Sequence, residues 1–116
     1  MRALIVDDEE DIGWMVSKFL QSEGLEVEYV SRIEKAQYKI NEHPYEVYFL
    51  DLNLPDGSGF DLIPSIRKQE IDSKVVVISA HDGIYEINQA KEMNVDLFIK
   101  KPFTKKQVVD AIEDLK

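Results

Sequence analysis

Val47-Tyr48-Phe49-Leu50-Asp51 is an unbroken apolar run that ends on a carboxylate. A short β-branched and aromatic run with no polar break has no wet face, and it reads as a strand buried on both sides of a parallel sheet. Working outward, Ala3-Leu4-Ile5-Val6 and Val75-Val76-Val77-Ile78 have the same character, and Leu97-Phe98-Ile99 is a shorter example. The stretch from Leu25 to Val30 alternates instead, with Leu25, Val27 and Tyr29 set against Glu26 and Glu28, as an edge strand with one wet face does.

Between these runs the apolar spacing turns helical. Ile12, Met15, Val16, Phe19 and Leu20 share one face, and Gly24 stands where a left-handed residue ends a helix. Ser31 is placed to cap a second helix bearing Ile33, Ala36 and Ile40, with Glu34 completing a capping box. Phe60, Ile63 and Ile66 predict a third helix capped at Gly59, which would put Pro64 just past the turn where a missing N–H is free and distort its start. Ile84, Ile87 and Ala90 predict a fourth, stopped by Asn94. Thr104 caps a fifth whose face is Val108, Ala111, Ile112 and Leu115. This alternation predicts an α/β fold, a (βα)5 parallel sheet with right-handed crossovers and helices on both faces. No repeat, linker or low-complexity tract divides the chain, so one domain over 1–116 is expected.

The formal net charge of -9 argues against direct binding to nucleic acid, whose phosphates would be repelled. No apolar run approaches the ~20 residues that cross a bilayer, so no membrane partner is expected. The N-terminal residues reach acid after a short apolar run, unlike a signal peptide. The absence of cysteine excludes a disulfide framework, a thiolate metal site and a thiol nucleophile, and it is compatible with a cytoplasmic location.

In open α/β sheets, ligands bind beyond the carboxyl ends of the strands. Asp7 and Asp8 follow the first strand, Asp51 the third, Ser79 the fourth and Lys101 the fifth, so a parallel sheet brings them to one edge. Crowded carboxylates repel unless a cation joins them. Hard oxygen ligands without His or Cys suit Mg2+. Lysine adds a point charge for an anion and Ser79 a hydroxyl donor. A cation, a nucleophilic carboxylate, a lysine and a hydroxyl make a phosphoryl-transfer site, because that chemistry is chiefly positioning and charge neutralisation.

Four segments then carry a family resemblance: Leu-Ile-Val-Asp-Asp-Glu (4–9), Leu-Asp-Leu-Asn-Leu-Pro-Asp-Gly-Ser-Gly-Phe-Asp-Leu (50–62), Val-Ile-Ser-Ala (77–80) and Phe-Ile-Lys-Lys-Pro-Phe (98–103). In this order and spacing the chain resembles the receiver domain of two-component response regulators over essentially its whole length. The resemblance implies a flavodoxin-like, doubly wound sheet of strand order 2-1-3-4-5. It implies that Asp51 is the phosphoacceptor, taking a phosphoryl group from a phosphohistidine on a histidine kinase or histidine phosphotransfer protein. It implies Mg2+ held directly by Asp8, through water by Asp7, and by Asp51 and the backbone carbonyl of Asn53. Lys101 would pair with the phosphate, with the bond before Pro102 cis. Ser79 and Phe98 would form a hydroxyl–aromatic switch pair that alters the face read by an output domain or downstream protein. Such a phosphoprotein signals rather than turning over an external substrate, so it is not expected to be an enzyme in that sense. Asn94 stands where the family usually has Gly, and Ser79 where Thr is more frequent. Neither change removes a site group.

A competing reading is an aspartyl-phosphate phosphatase of the haloacid-dehalogenase class. That class needs an acid two residues after the nucleophile, where this chain has Asn53. Trp14 lies off the apolar stripe of its helix, either as a docking anchor for the phosphodonor or packed partly on that helix. His43 and His81 offer no sensible metal site, although His81 is close enough to Ser79 to influence the pocket. Tyr85 is either part of an output surface or solvated. Lys105 and Lys106 extend Lys100 and Lys101 into a short basic cluster, either a solvated helix start or a contact for an acidic partner.

Overall fold

The computed structural model describes every residue except Glu70, Asp82 and Lys116. Strands and helices alternate: β1 (Arg2–Val6), α1 (Glu10–Ser22), β2 (Glu26–Val30), α2 (Ile33–Glu42), β3 (Val47–Asp51), α3 (Ile63–Arg67), β4 (Lys74–Ser79), α4 (Ile84–Glu92), β5 (Leu97–Lys100) and α5 (Lys105–Leu115). All strand pairs are parallel, in the order β2-β1-β3-β4-β5. Alternation along each strand divides the core into two layers. Leu4, Leu50 and Val77 pack with Ala36 and Ile40 of α2 and Ile66 of α3. Ile5, Phe49 and Val76 pack on the other face with Leu20 of α1 and Ile112 of α5. β3 is buried at all five positions, whereas β2, at the edge, is not buried anywhere, which is the contrast that continuous and alternating runs predict.

Two helices end as their sequences require. Gly24 (φ 88) and Asn94 (φ 57) both take the left-handed conformation. Each closes a Schellman motif, with Leu25 N–H donating to the Leu20 carbonyl at 3.2 Å and Val95 N–H to the Ala90 carbonyl at 3.1 Å. Thr104 caps α5, its Oγ1 accepting from Gln107 N–H at 3.2 Å while Gln107 Oε1 accepts from Thr104 N–H at 2.8 Å.

Three local expectations are corrected. Ser31 does not cap α2, which begins one residue too late for its hydroxyl to reach; the Asp56 carboxylate does so from the β3–α3 loop, accepting from Ile33 N–H at 2.8 Å and Glu34 N–H at 3.1 Å. Those bonds hold the Asp56 carboxyl below the usual aspartate range, the Ile33 N–H contributing most. Gly59 does not cap the third helix: Ser58, in a capping box with Asp61, caps a 3-10 turn over Gly59–Leu62 that leads into α3. Pro64 then falls in the first turn of α3, where it removes no intrahelical bond. Ile84 belongs to no buried face: it is 81% exposed, beside Tyr85 at 74%.

At the edge of the sheet where the strands begin, the loops are tied together by side chains. Arg67 donates to the carbonyls of Ser73 at 2.7 Å and Asn94 at 2.9 Å. Ser73 donates to the Tyr45 carbonyl at 2.7 Å, and Asp96 accepts from Val75 N–H at 2.7 Å. Nearby, Glu28 of β2 accepts from Lys39 at 2.8 Å and faces Arg2 and His43 at 3.4 and 3.6 Å. The Lys39 bond holds the Glu28 carboxyl below the usual glutamate range against the opposing effect of burial.

Candidate functional site

The strand register fixes which side chains meet. Val6 pairs with Leu50, Asp51 with Ile78, and Ser79 with Lys100, so the residues after each strand emerge side by side. Asp7 and Asp51 are buried there at 2% and 3% exposure, while Asp8 is exposed. Lys101 reaches among them, its Nζ lying 2.9 Å from Asp7 Oδ2, 2.9 Å from Glu9 Oε1 and 3.3 Å from Asp51 Oδ2. The peptide bond before Pro102 is cis.

Asp51 carries the electrostatic signature of this crowding. Burial pushes its carboxyl up to about 6, and the charge of Asp7 adds to the rise. Asn53 N–H, donating to Asp51 Oδ1 at 3.2 Å, and the Lys101 ammonium oppose it. For Lys101, burial alone would lower the pKa, but hydrogen bonds to Asp7 and Glu9 and the charges of Asp7 and Asp51 hold it above the ordinary lysine range. One ammonium is thus shared by three carboxylates.

Carboxylate oxygens of Asp7, Asp8, Glu9 and Asp51 lie within 4.8 Å of one another. An oxygen-only donor set around an under-neutralised, buried carboxyl fits a hard divalent cation. The group joins both sequence-predicted aspartates of the first strand to Asp51, and adds Glu9.

Two backbone contacts shape the walls. A side chain on Gly59 would collide with the Asp51 carbonyl, so the 3-10 turn closes against β3 only because residue 59 is glycine. On the other flank, the Tyr29 hydroxyl donates to the Asp7 carbonyl at 2.6 Å. Ser79 is fully buried and its Oγ accepts from the backbone N–H of His81 at 3.0 Å, while the His81 side chain is exposed. Phe98 is partly buried against the α2–α4 layer, and its strand neighbour is Val77, two residues before Ser79. Trp14 is 65% exposed, with Lys18 Nζ 5.7 Å from its ring centre. His43 lies away from the site, against Glu28 and with its ring tilted 4.7 Å from that of Tyr45. Lys106 pairs with Asp110 at 2.7 Å, and Lys105 sits over Phe19.

The family model for the response regulator receiver domain matches residues 3–113. The chain belongs to the response regulator receiver domain family. It is a phosphoacceptor module of two-component signal transduction. The receiver is 29% identical over 111 residues to the transcriptional regulatory protein CssR of Bacillus subtilis, covering 96% of this chain and 49% of CssR. It is 30% identical over 115 residues to the virulence transcriptional regulatory protein PhoP of Salmonella choleraesuis, covering 99% of this chain and 51% of PhoP. The chain therefore spans about half the length of the curated relatives it matches. Among solved structures it is similar to the non-phosphorylated HemR receiver domain of Leptospira biflexa, at 32% identity and a TM-score of 0.89, covering 98% of this chain and 92% of that one. Among the described residues, no helix is long and apolar enough to cross a membrane.

Sequence reasoning missed Glu9, Gly59 and Tyr29. Glu9 follows directly on the acidic pair and was within reach. The roles of Gly59 and Tyr29 depend on approach between separate elements, for which a single sequence carries no periodic signal.

Proposed function

We propose that Asp51 is the residue that accepts the phosphoryl group, and that the acidic cluster holds Mg2+ while it does so. The observation that carries this reading is the placement of the buried Asp51 carboxylate 3.3 Å from Lys101 Nζ, inside a cluster of carboxylate oxygens. Asp8, Asp7, Asp51 and the Asn53 backbone carbonyl would hold the ion, whose charge would neutralise phosphoryl oxygens.

An Asp51 carboxylate oxygen attacks phosphorus, the bond from phosphorus to the donor's imidazole nitrogen breaks, and the electron pair leaves with the imidazole. Lys101 pairs with one oxygen of the new acyl phosphate, and Ser79, whose hydroxyl retains a proton when it accepts from His81, donates to another. Modification adds roughly 1.5 to 2 negative charges. Ser79 moves toward that charge, Phe98 rotates into the space it leaves, and the surface formed by α4 and β5 changes for an output domain or downstream protein.

The phosphodonor is a histidine kinase or a histidine phosphotransfer protein, and the setting is the cytoplasm, where such donors act. The protein catalyses its own modification and slow hydrolysis without turning over an external substrate. Incubation with acetyl phosphate and Mg2+, followed by intact mass, tests the assignment. One added phosphoryl group is expected in the wild type and none in Asp51→Ala. A phosphoryl group retained by Asp51→Ala would reject it.

A further inference from the structure

We infer that Tyr29 is a positioning residue for the acidic pair Asp7–Asp8, and that Gly13 exists to seat it. The inference rests on the reading above that this pair holds a divalent cation, and it adds what sets the affinity.

Tyr29 comes from the edge strand β2, yet its hydroxyl crosses to the carbonyl of Asp7 at 2.6 Å. The ring passes over Gly13 in α1, where an added β-carbon would overlap three of its ring atoms. Gly13 lies inside a helix and does not take a positive φ, so its backbone does not call for glycine. Glycine in a helix interior is disfavoured. Space for the Tyr29 ring accounts for it.

The hydroxyl completes the restraint of Asp7. Asp7 N–H donates to the Val30 carbonyl at 3.2 Å, its Oδ1 accepts from Glu9 N–H at 2.8 Å, and its Oδ2 meets Lys101 at 2.9 Å. With Tyr29 on the carbonyl, β2 holds both backbone groups of this buried residue, while Glu9 N–H and Lys101 hold its carboxylate. The next residue, Asp8, is exposed and leaves the turn in a direction set by that carbonyl. Removing the hydroxyl strips a buried carbonyl of this partner, and a turn that relaxes to recover one carries the Asp8 carboxylate with it. Groups that orient ligands without touching the ion commonly govern affinity by about tenfold or more.

Calorimetric titration of the chain with MgCl2 tests this. Tyr29→Phe keeps the ring in its slot and removes only the hydroxyl, and its Kd for Mg2+ is expected to rise about tenfold. Gly13→Ala displaces the ring and should weaken binding likewise, with no further loss when Tyr29→Phe is added to it. Should Gly13→Ala fail to fold, Tyr29→Phe alone decides. A Tyr29→Phe protein of lowered Tm but unchanged Mg2+ affinity would overturn the role, since a purely structural tyrosine gives that result. Wild type that binds Mg2+ yet gains no mass from acetyl phosphate would refute the Asp51 assignment instead, leaving the effect of Tyr29 measured.

Discussion

Gly59 and Asp51 approach so closely that a β-carbon on the first would overlap the carbonyl oxygen of the second. The backbone of β3 at Asp51 is thus the surface against which the 3-10 turn closes. Gly59→Ala must push the two apart, and overpacking of this kind costs about 1–3 kcal/mol. Urea denaturation should record that loss, and phosphorylation by acetyl phosphate should slow because Asp51 moves with its carbonyl.

Lys101 is the cation shared by Asp7, Glu9 and Asp51, and its side chain is only 9% exposed. Lys101→Ala leaves buried carboxylates facing one another, a loss on the order of 3 kcal/mol. Binding of a cation to the folded state alone restores stability. Millimolar Mg2+ should therefore raise the Tm of Lys101→Ala more than that of wild type in thermal melts.

Glu28 links β2 to α2 through Lys39 at 2.8 Å. Its folded carboxyl titrates below the unfolded one, so the bond contributes fully above the unfolded value of ~4.3 and is lost as pH falls through the folded value. Glu28→Gln should be less stable than wild type at neutral pH, and the difference should shrink on acidification below about pH 4.3. Parallel melts across pH 3 to 7 would check it; a constant difference would remove Glu28 from the acid response.

Trp14 stands 65% exposed on α1, the helix that follows Asp7 and Asp8. Exposed aromatics concentrate binding energy. Trp14→Ala should slow transfer from a phosphohistidine donor by about tenfold while leaving acetyl phosphate untouched. Equal slowing with both donors would remove its docking role.

Phe98 is the β5 register partner of Val77, two residues before Ser79 on β4. A beryllofluoride complex should bring the Ser79 hydroxyl toward Asp51 and bury the Phe98 ring further. A crystal structure with both side chains in their present places would reject the switch.

The architecture was readable because a run such as 47–51, apolar at successive positions, has few other places to go than the middle of a sheet. Asp7, Asp8, Asp51, Ser79 and Lys101 were readable for a related reason: parallel strands collect their C-terminal residues at one edge. The failures share a cause as well. Ser31 looked like a cap because capping was sought locally, whereas the carboxylate that caps α2 belongs to Asp56 in a distant loop. Ile84 fits a helical spacing, yet α4 rests on the sheet through Ala90, leaving its first turn outside. Gly13 and Tyr29 fit each other in three dimensions, and neither residue alone announces the fit.

The bonds that Arg67 makes to the Ser73 and Asn94 carbonyls give the sheet one bolted end. A plate fastened along one side bends like a cantilever, with its travel greatest at the rim farthest from the fastening. The rim here is where β3 and β4 deliver Asp51 and Ser79, so displacement caused at residue 51 is expected in the loops there and is expected to fade toward Arg67. Amide hydrogen exchange should follow that gradient, slowest beside the bolt and fastest at the rim.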